Sequence, residues 1–187
     1  PLAFLAAAAA LLTLAAPAGA TIVEALGVAE LAGRADRIVE GKVLDIRSAW
    51  DGPVIVTDVV VGVDRCYKGD CHDEALVVRV LGGAVEDLEQ RVDGMARFEL
   101  DEPVLLFLRG DGTPHALHTL GLEQGKFRLV QAPDGVEAVR ADSHVKLIGP
   151  HQAEARALGR VKLDVLVALV ERSLDPAELP TLDVPPR

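Results

Sequence analysis

Through the middle of the chain, apolar and polar residues alternate with a period of two, and a helical period appears only near its two ends. Residues 25–35 (ALGVAELAGRA) place Leu26, Ala29 and Leu31 at Ala-rich helical spacing beside Glu30, which predicts two to three turns, weakened by Gly27 and Gly33. The period then changes. From Ile38 to Trp50, Leu44, Ile46 and Trp50 fall on one face of a strand, interrupted by Lys42 and Ser48, while Val39, Gly41 and Val43 fall on the other. Asp51-Gly52-Pro53 reads as a turn, and Val54 to Arg65 is so rich in β-branched residues that the two segments predict one long hairpin.

Further strands are expected at Ala75–Leu81, stopped by Gly82-Gly83, and at Val104–Arg109, bounded by Pro103 and Gly110-Asp111-Gly112. Three short ones follow at His115–Leu120, Lys126–Val130 and Val136–Val139, separated by turns at Glu123–Gly125 and Pro133–Gly135. Residues 85–99 are polar and weakly periodic, a connection with room for a turn of helix. Seven short strands without repeated helical crossovers predict an all-β, mainly antiparallel barrel or sandwich. Lys162–Leu174 then sets Leu163, Leu166, Val167, Val170 and Leu174 at helical spacing. That apolar face requires a surface to pack on, either the end of the barrel, the preferred reading, or a partner.

The first twenty residues carry no charge and end in the small-residue triplet Ala18-Gly19-Ala20. They read as a secretory signal peptide cleaved before Thr21, rather than a membrane anchor, because Pro17 and Gly19 interrupt the run and no basic cluster follows. The expected location is secreted or periplasmic. At the other end, residues 175–187 are Pro-rich without an apolar period and are expected to be disordered. The organisation read from sequence is therefore signal peptide 1–20, barrel domain 21–150, helical appendage 151–174 and tail 175–187.

Charge narrows the choice of partners. All 29 acidic and 19 basic residues lie beyond residue 20, for a net charge of −10, and no basic block interrupts them. Such a surface repels phosphate backbones and argues against nucleic acid. Asn is absent, so Asn-linked glycosylation has no acceptor.

The two cysteines stand in Cys66-Tyr-Lys-Gly-Asp-Cys71-His72, at the two mouths of a turn, where a structural disulfide fits an exported chain. The alternatives are weaker. Cys-x4-Cys-His is a rare variant of the haem-attachment spacing, in a β-turn of a chain with 3% aromatics, and a redox dithiol would favour Cys-x-x-Cys at a helix start. No cofactor is expected.

His115 and His118 point to opposite faces of a strand, and His72, His144 and His151 show no ligand spacing. Asp142, Ser143 and His144 are adjacent, but a triad assembles from separate elements, and no Gly-x-Ser-x-Gly elbow is present; they read as polar surface. The carboxylates around Glu86–Glu89, Asp101-Glu102 and Asp70/Asp73 read as solvated surface, although paired acids could serve a glycosidase. Trp50, the sole tryptophan, lies at the hairpin tip near Arg47, and aromatic and Arg side chains anchor interfaces. Its alternative role is to cap a barrel end. Lys126 and Phe127, following the Gly125 turn, are a second candidate pair for partner binding.

The segments Ala35-Asp36-Arg-Ile-Val-Glu-Gly-Lys-Val43, Val54–Val63, Tyr67-Lys68-Gly69 and Glu102-Pro-Val-Leu-Leu-Phe-Leu108 resemble a poorly characterised group of secreted bacterial proteins. In the same order they distantly resemble the netrin-like domains of the tissue inhibitors of metalloproteinases, over roughly Leu31 to Val130. That resemblance implies an OB barrel of five strands. It does not bring the inhibitory mechanism, which uses an amino-terminal cysteine, because no cysteine here precedes Cys66. The function expected is non-catalytic binding of another protein or a cell-envelope component; the alternative is an envelope hydrolase or metal-dependent enzyme.

Overall fold

The computed structural model describes residues 21–110, 117–141 and 145–175. The signal-peptide reading, the tail beyond Asp175, and His115, Asp142, Ser143 and His144 lie outside the described residues. Among the described residues the elements are β1 (Ile22–Glu24), α1 (Val28–Arg34), β2 (Arg37–Asp51), β3 (Val54–Lys68), β4 (Ala75–Leu81), β5 (Gly83–Val85), β6 (Leu88–Gln90), β7 (Pro103–Gly110) and β8 (Leu117–Thr119). A 3-10 turn at Leu122–Gly125 leads into β9 (Lys126–Ala132), β10 (Gly135–Val139), β11 (Lys146–Ile148), α2 (Gln152–Ala157), β12 (Arg160–Lys162) and α3 (Leu163–Leu174).

The protein is mainly β. Its principal sheet runs β12-β10-β9-β7-β2-β3-β4-β8, and β8 pairs with β7 as well as β4. Most pairings are antiparallel, as the alternation predicts, but β4–β8 and the separate β1–β11 pair are parallel. The β2–β3 hairpin carries three register shifts, between Ile38 and Val39, Glu40 and Gly41, and Val43 and Asp45. Such bulges bend and twist a long ribbon so that its two ends can face different neighbours. At the second of them the strands approach so closely that a Cβ on Gly41 would lie 2.0 Å from the Gly62 carbonyl oxygen, and only glycine fits.

Two apolar clusters fill the two sides of the sheet. Val39, Val43, Val59, Val61, Leu76, Val78, Val104, Leu106 and Leu108 form one. Leu105 and Phe107 face the other side, where they join Phe127 and Leu129 of β9, Leu31 of α1, and Leu166 and Val170 of α3. Burial on both faces explains why β7 reads as an unbroken apolar run. The helical face of α3, expected to need a surface, lies on α1 and the sheet. The segment 151–174 is thereby joined to the sheet through β12, which pairs with β10.

Several local expectations change. The connection after Gly82 contains the small β5–β6 hairpin instead of a helical turn. Also unanticipated were β1, β11, α2 and β12, each of six residues or fewer and too short to establish a period.

The ends of α1 show how distant parts are tied together. Gly27 precedes the helix with no side chain to cap it, and Glu154 of α2 accepts the Val28 N–H at 2.9 Å instead. At the other end Lys68 Nζ donates to the carbonyls of Ala32 and Gly33, where a cation complements the helix dipole. The buried Gln124 accepts from the Leu26 N–H and donates to the Glu24 carbonyl, both at 2.9 Å, fixing the approach to α1.

Candidate functional site

The far end of the β2–β3 hairpin gathers the features most suited to contact with another molecule. In the β2–β3 register Trp50 lies opposite Ile55, Ser48 opposite Thr57 and Ile46 opposite Val59, so these pairs share one face. Ile55 and Val59 are buried, whereas Trp50 remains 50% exposed. Arg47, its side chain 81% exposed, reaches Asp45 at 2.6 Å on the surface, a pair with little hold on either side chain.

A cavity of about 250 Å³ opens on this face beneath the 89–98 segment. Its wall includes Ile46, Val59, Val80, Met95 and Phe98, with Ser48, Thr57 and Gln90 as polar points. The hydroxyl network is directional. Thr57 Oγ1 donates to the Gly82 carbonyl at 2.7 Å, which leaves Ser48 Oγ, 2.8 Å away, as donor to Thr57. Ser48, which lines the cavity, is left with acceptor capacity at its oxygen. Gly83 closes over both hydroxyls with φ of +137°, and a Cβ there would lie 2.2 Å from Thr57 Oγ1. A side chain is excluded on both counts. Gln90 Oε1 accepts the Ile55 N–H at 2.8 Å and joins the β5–β6 hairpin to β3.

The polar groups of the wall are paired largely among themselves. Glu89, the acidic residue in the wall, is forked onto Arg91 through two bonds of 2.6 and 3.1 Å, and the guanidinium holds its carboxyl below the usual carboxylate range. The Ser48 proton thus goes to another hydroxyl instead of to a base. Among the described residues no three His, Cys, Asp or Glu side chains come together as a metal site requires.

The other sequence candidates have different settings. Phe127 is completely buried, with its ring centroid 6.0 Å from that of Phe107 and the Arg140 guanidinium 4.6 Å above it. It offers a partner no surface, because the period of β9 turns Phe127 and Leu129 inward. Lys126 is almost as enclosed. Its Nζ donates to Glu102 at 2.7 Å and to the Arg97 carbonyl at 2.5 Å, and lies 4.8 Å from the Phe98 centroid. Burial pulls its ammonium below the usual lysine range, with Glu102 acting in the opposite direction. Lys126 therefore holds the 97–102 segment against β9, and the candidates left exposed are Trp50 and Arg47, on opposite faces of β2 near the hairpin tip.

Cys66 and Cys71 are bonded, with Cα atoms 6.1 Å apart, and close the end of β3 opposite its tip. His118 lies on β8, its Nδ1 2.9 Å from the Arg79 carbonyl oxygen. His72 is exposed beside Asp70, and His151 sits between Glu30 and Glu154. Arg79 makes a forked pair with Asp58 at 2.7 and 2.8 Å across β3 and β4. Comparison with family models, with curated proteins and with solved structures finds no match.

No local pattern marks the Ser48–Thr57–Gly83 cluster in the sequence, because its members come from three strands. A Gly-Gly pair ending a strand was the one legible hint of close packing there.

Proposed function

We propose that this protein is an extracytoplasmic binding protein, without catalytic activity, that engages another protein or a cell-envelope component through the tip of its β2–β3 hairpin. The half-exposed Trp50, on the same face of the hairpin as the cavity, carries this reading. A large apolar ring left in water at the end of a two-stranded ribbon is poised to gain burial on contact, and Arg47, on the opposite face of β2 near the same tip, is a cation held only loosely. The net charge of −10 favours partners other than nucleic acid. The charge-free N-terminal segment and the Cys66–Cys71 bond support an oxidising compartment outside the cytoplasm.

The architecture we assign is an OB-like barrel. Pairing passes from β2 to β3, β4, β8 and β7 and returns to β2, and in barrels of this kind the loop joining the first two strands takes part in binding. Here that loop is Asp51–Pro53, next to Trp50. The analogy supplies the face and not the ligand.

Immobilised protein and its Trp50→Ala and Arg47→Glu variants, incubated with the solubilised envelope of the source cells, test the proposal. A species retained by the parent and lost from both variants, with far-UV circular dichroism unchanged, is the expected result. Equal retention by all three removes the tip from the function, and unfolding of Trp50→Ala assigns that side chain to the barrel end instead.

A further inference from the structure

Arg140, just past the end of β10, is 92% buried by its 8% residual exposure, and its guanidinium is only partly employed. Nη1 donates to the Ala155 carbonyl of α2 at 3.3 Å, and the main-chain N–H donates to the Gly159 carbonyl at 3.0 Å. The Phe127 ring covers one face of the group at 4.6 Å. Nε and Nη2, however, have no hydrogen-bond partner among the described residues. These two nitrogens form the edge that Arg79 presents to Asp58 and Arg91 presents to Glu89, so the chain itself shows twice what that edge accepts. Leaving a charged donor buried without an acceptor costs more than any neutral equivalent.

The surroundings favour a negative guest. Arg140 lies where two cavities meet, one of about 410 Å³ and one of about 190 Å³. Among the described residues, their walls bring together Arg97, Lys126, Arg128, Arg140, Lys146 and Arg156 against three acids, Glu99, Glu102 and Glu123. A chain with ten more acidic than basic residues has here, among the described residues, a local excess of the opposite sign. Glu102 is already committed to Lys126. Glu123 and Glu154 are near enough to support the charge on Arg140, but neither hydrogen bonds to the open edge. Burial pulls the guanidinium down to about 10, which leaves it cationic at neutral pH.

We propose that the Nε–Nη2 edge of Arg140 binds the carboxylate of a small organic acid held between these two cavities, at a site separate from the hairpin tip. A carboxylate matches the edge with two parallel bonds, whereas chloride offers a single acceptor point. The Phe127 ring and the Ala155 carbonyl fix the plane of the guanidinium, so the donors are oriented before the acid arrives. The larger cavity falls within the size range of small-molecule sites, roughly 300–1,000 Å³.

Titration calorimetry and thermal unfolding of the full chain with sodium acetate and sodium succinate, against chloride and inorganic phosphate at constant ionic strength, test this site. Saturable binding of one carboxylate per chain is expected, with a rise in unfolding temperature that chloride and phosphate do not match. Arg140→Lys, which keeps the charge and loses the fork, should weaken binding about tenfold. Arg140→Met should abolish it, and if that variant fails to fold, the affinity ratio for Arg140→Lys decides. Absence of saturable binding to the parent protein overturns the proposal. An equal response to chloride or phosphate overturns the carboxylate assignment, and unchanged affinity in Arg140→Lys places the acid elsewhere.

Discussion

Glu154 caps a helix that begins 126 residues earlier, its Oε1 accepting the Val28 N–H at 2.9 Å. Glu154→Ala should therefore cost about 1–2 kcal/mol, the range for loss of a helix N-cap, while Glu154→Gln, which keeps an acceptor oxygen, should cost less. Urea unfolding of the three proteins measures the difference. Equal midpoints for Ala and Gln would show that the bond contributes nothing.

Leu166 is fully buried between α1, α3 and the sheet, and its neighbour Val165 is 48% exposed. Leu166→Asp puts a carboxylate into an apolar contact without a partner and should lower stability by about 3 kcal/mol or more. Val165→Asp should stay within about 0.5 kcal/mol of the parent, as exposed substitutions do. Similar melting temperatures for the two variants would contradict the packing of α3.

Reduction of the Cys66–Cys71 bond should add the mass of two hydrogens and leave the spectrum free of haem absorption. By the loop-entropy relation, opening so short a ring should lower stability by about 2 kcal/mol. Denaturant titrations with and without reductant read this directly, and two free thiols in protein prepared without reductant would refute the bond.

Tyr67 is the sole tyrosine, so ultraviolet absorbance of the phenolate reports it alone. Burial, and then its 2.7 Å hydrogen bond to Glu40, raise its ionisation from 10.0 to about 12. Because the folded value is the higher one, its contribution to stability is complete below pH 10 and is lost as the pH rises towards 12. Native protein should remain largely un-ionised at a pH where the urea-unfolded chain is half titrated. Glu40→Gln should narrow the gap, and coincident titrations of the native and unfolded protein would rule out the shift.

Much of the fold was legible where one period persisted. Ala75–Leu81 has the same limits in sequence and structure, and α3 begins one residue later than its apolar spacing predicts. The alternation of β2 and β3 was equally clear because bulges shift register without erasing the apolar content. Three-residue strands were not legible. Ile22–Glu24 is a strand only because Lys146–Ile148 lies beside it, a pairing that leaves no periodic trace in either segment. The candidate site divides in the same way. Trp50 could be singled out by type and by its place at a turn, whereas Phe127 could be placed inside only by the inward phase of β9. Arg140 gave no signal, since its unused edge results from contacts with residues distant in sequence.

The partnership of α1 with α3 sets an order of events during synthesis. Leu31 leaves the ribosome long before Leu166 and Val170, its companions in the same cluster. Until they follow, that side of the sheet lacks part of its cover, and Val28 waits for Glu154. Native contacts this distant in sequence delay folding until the loop between them can close. The β2–β3 hairpin, whose strands are adjacent in sequence, has no such wait, so the ribbon can pair early, while α1 receives its cap from Glu154 and its companions Leu166 and Val170 only after α2 and α3 have been made.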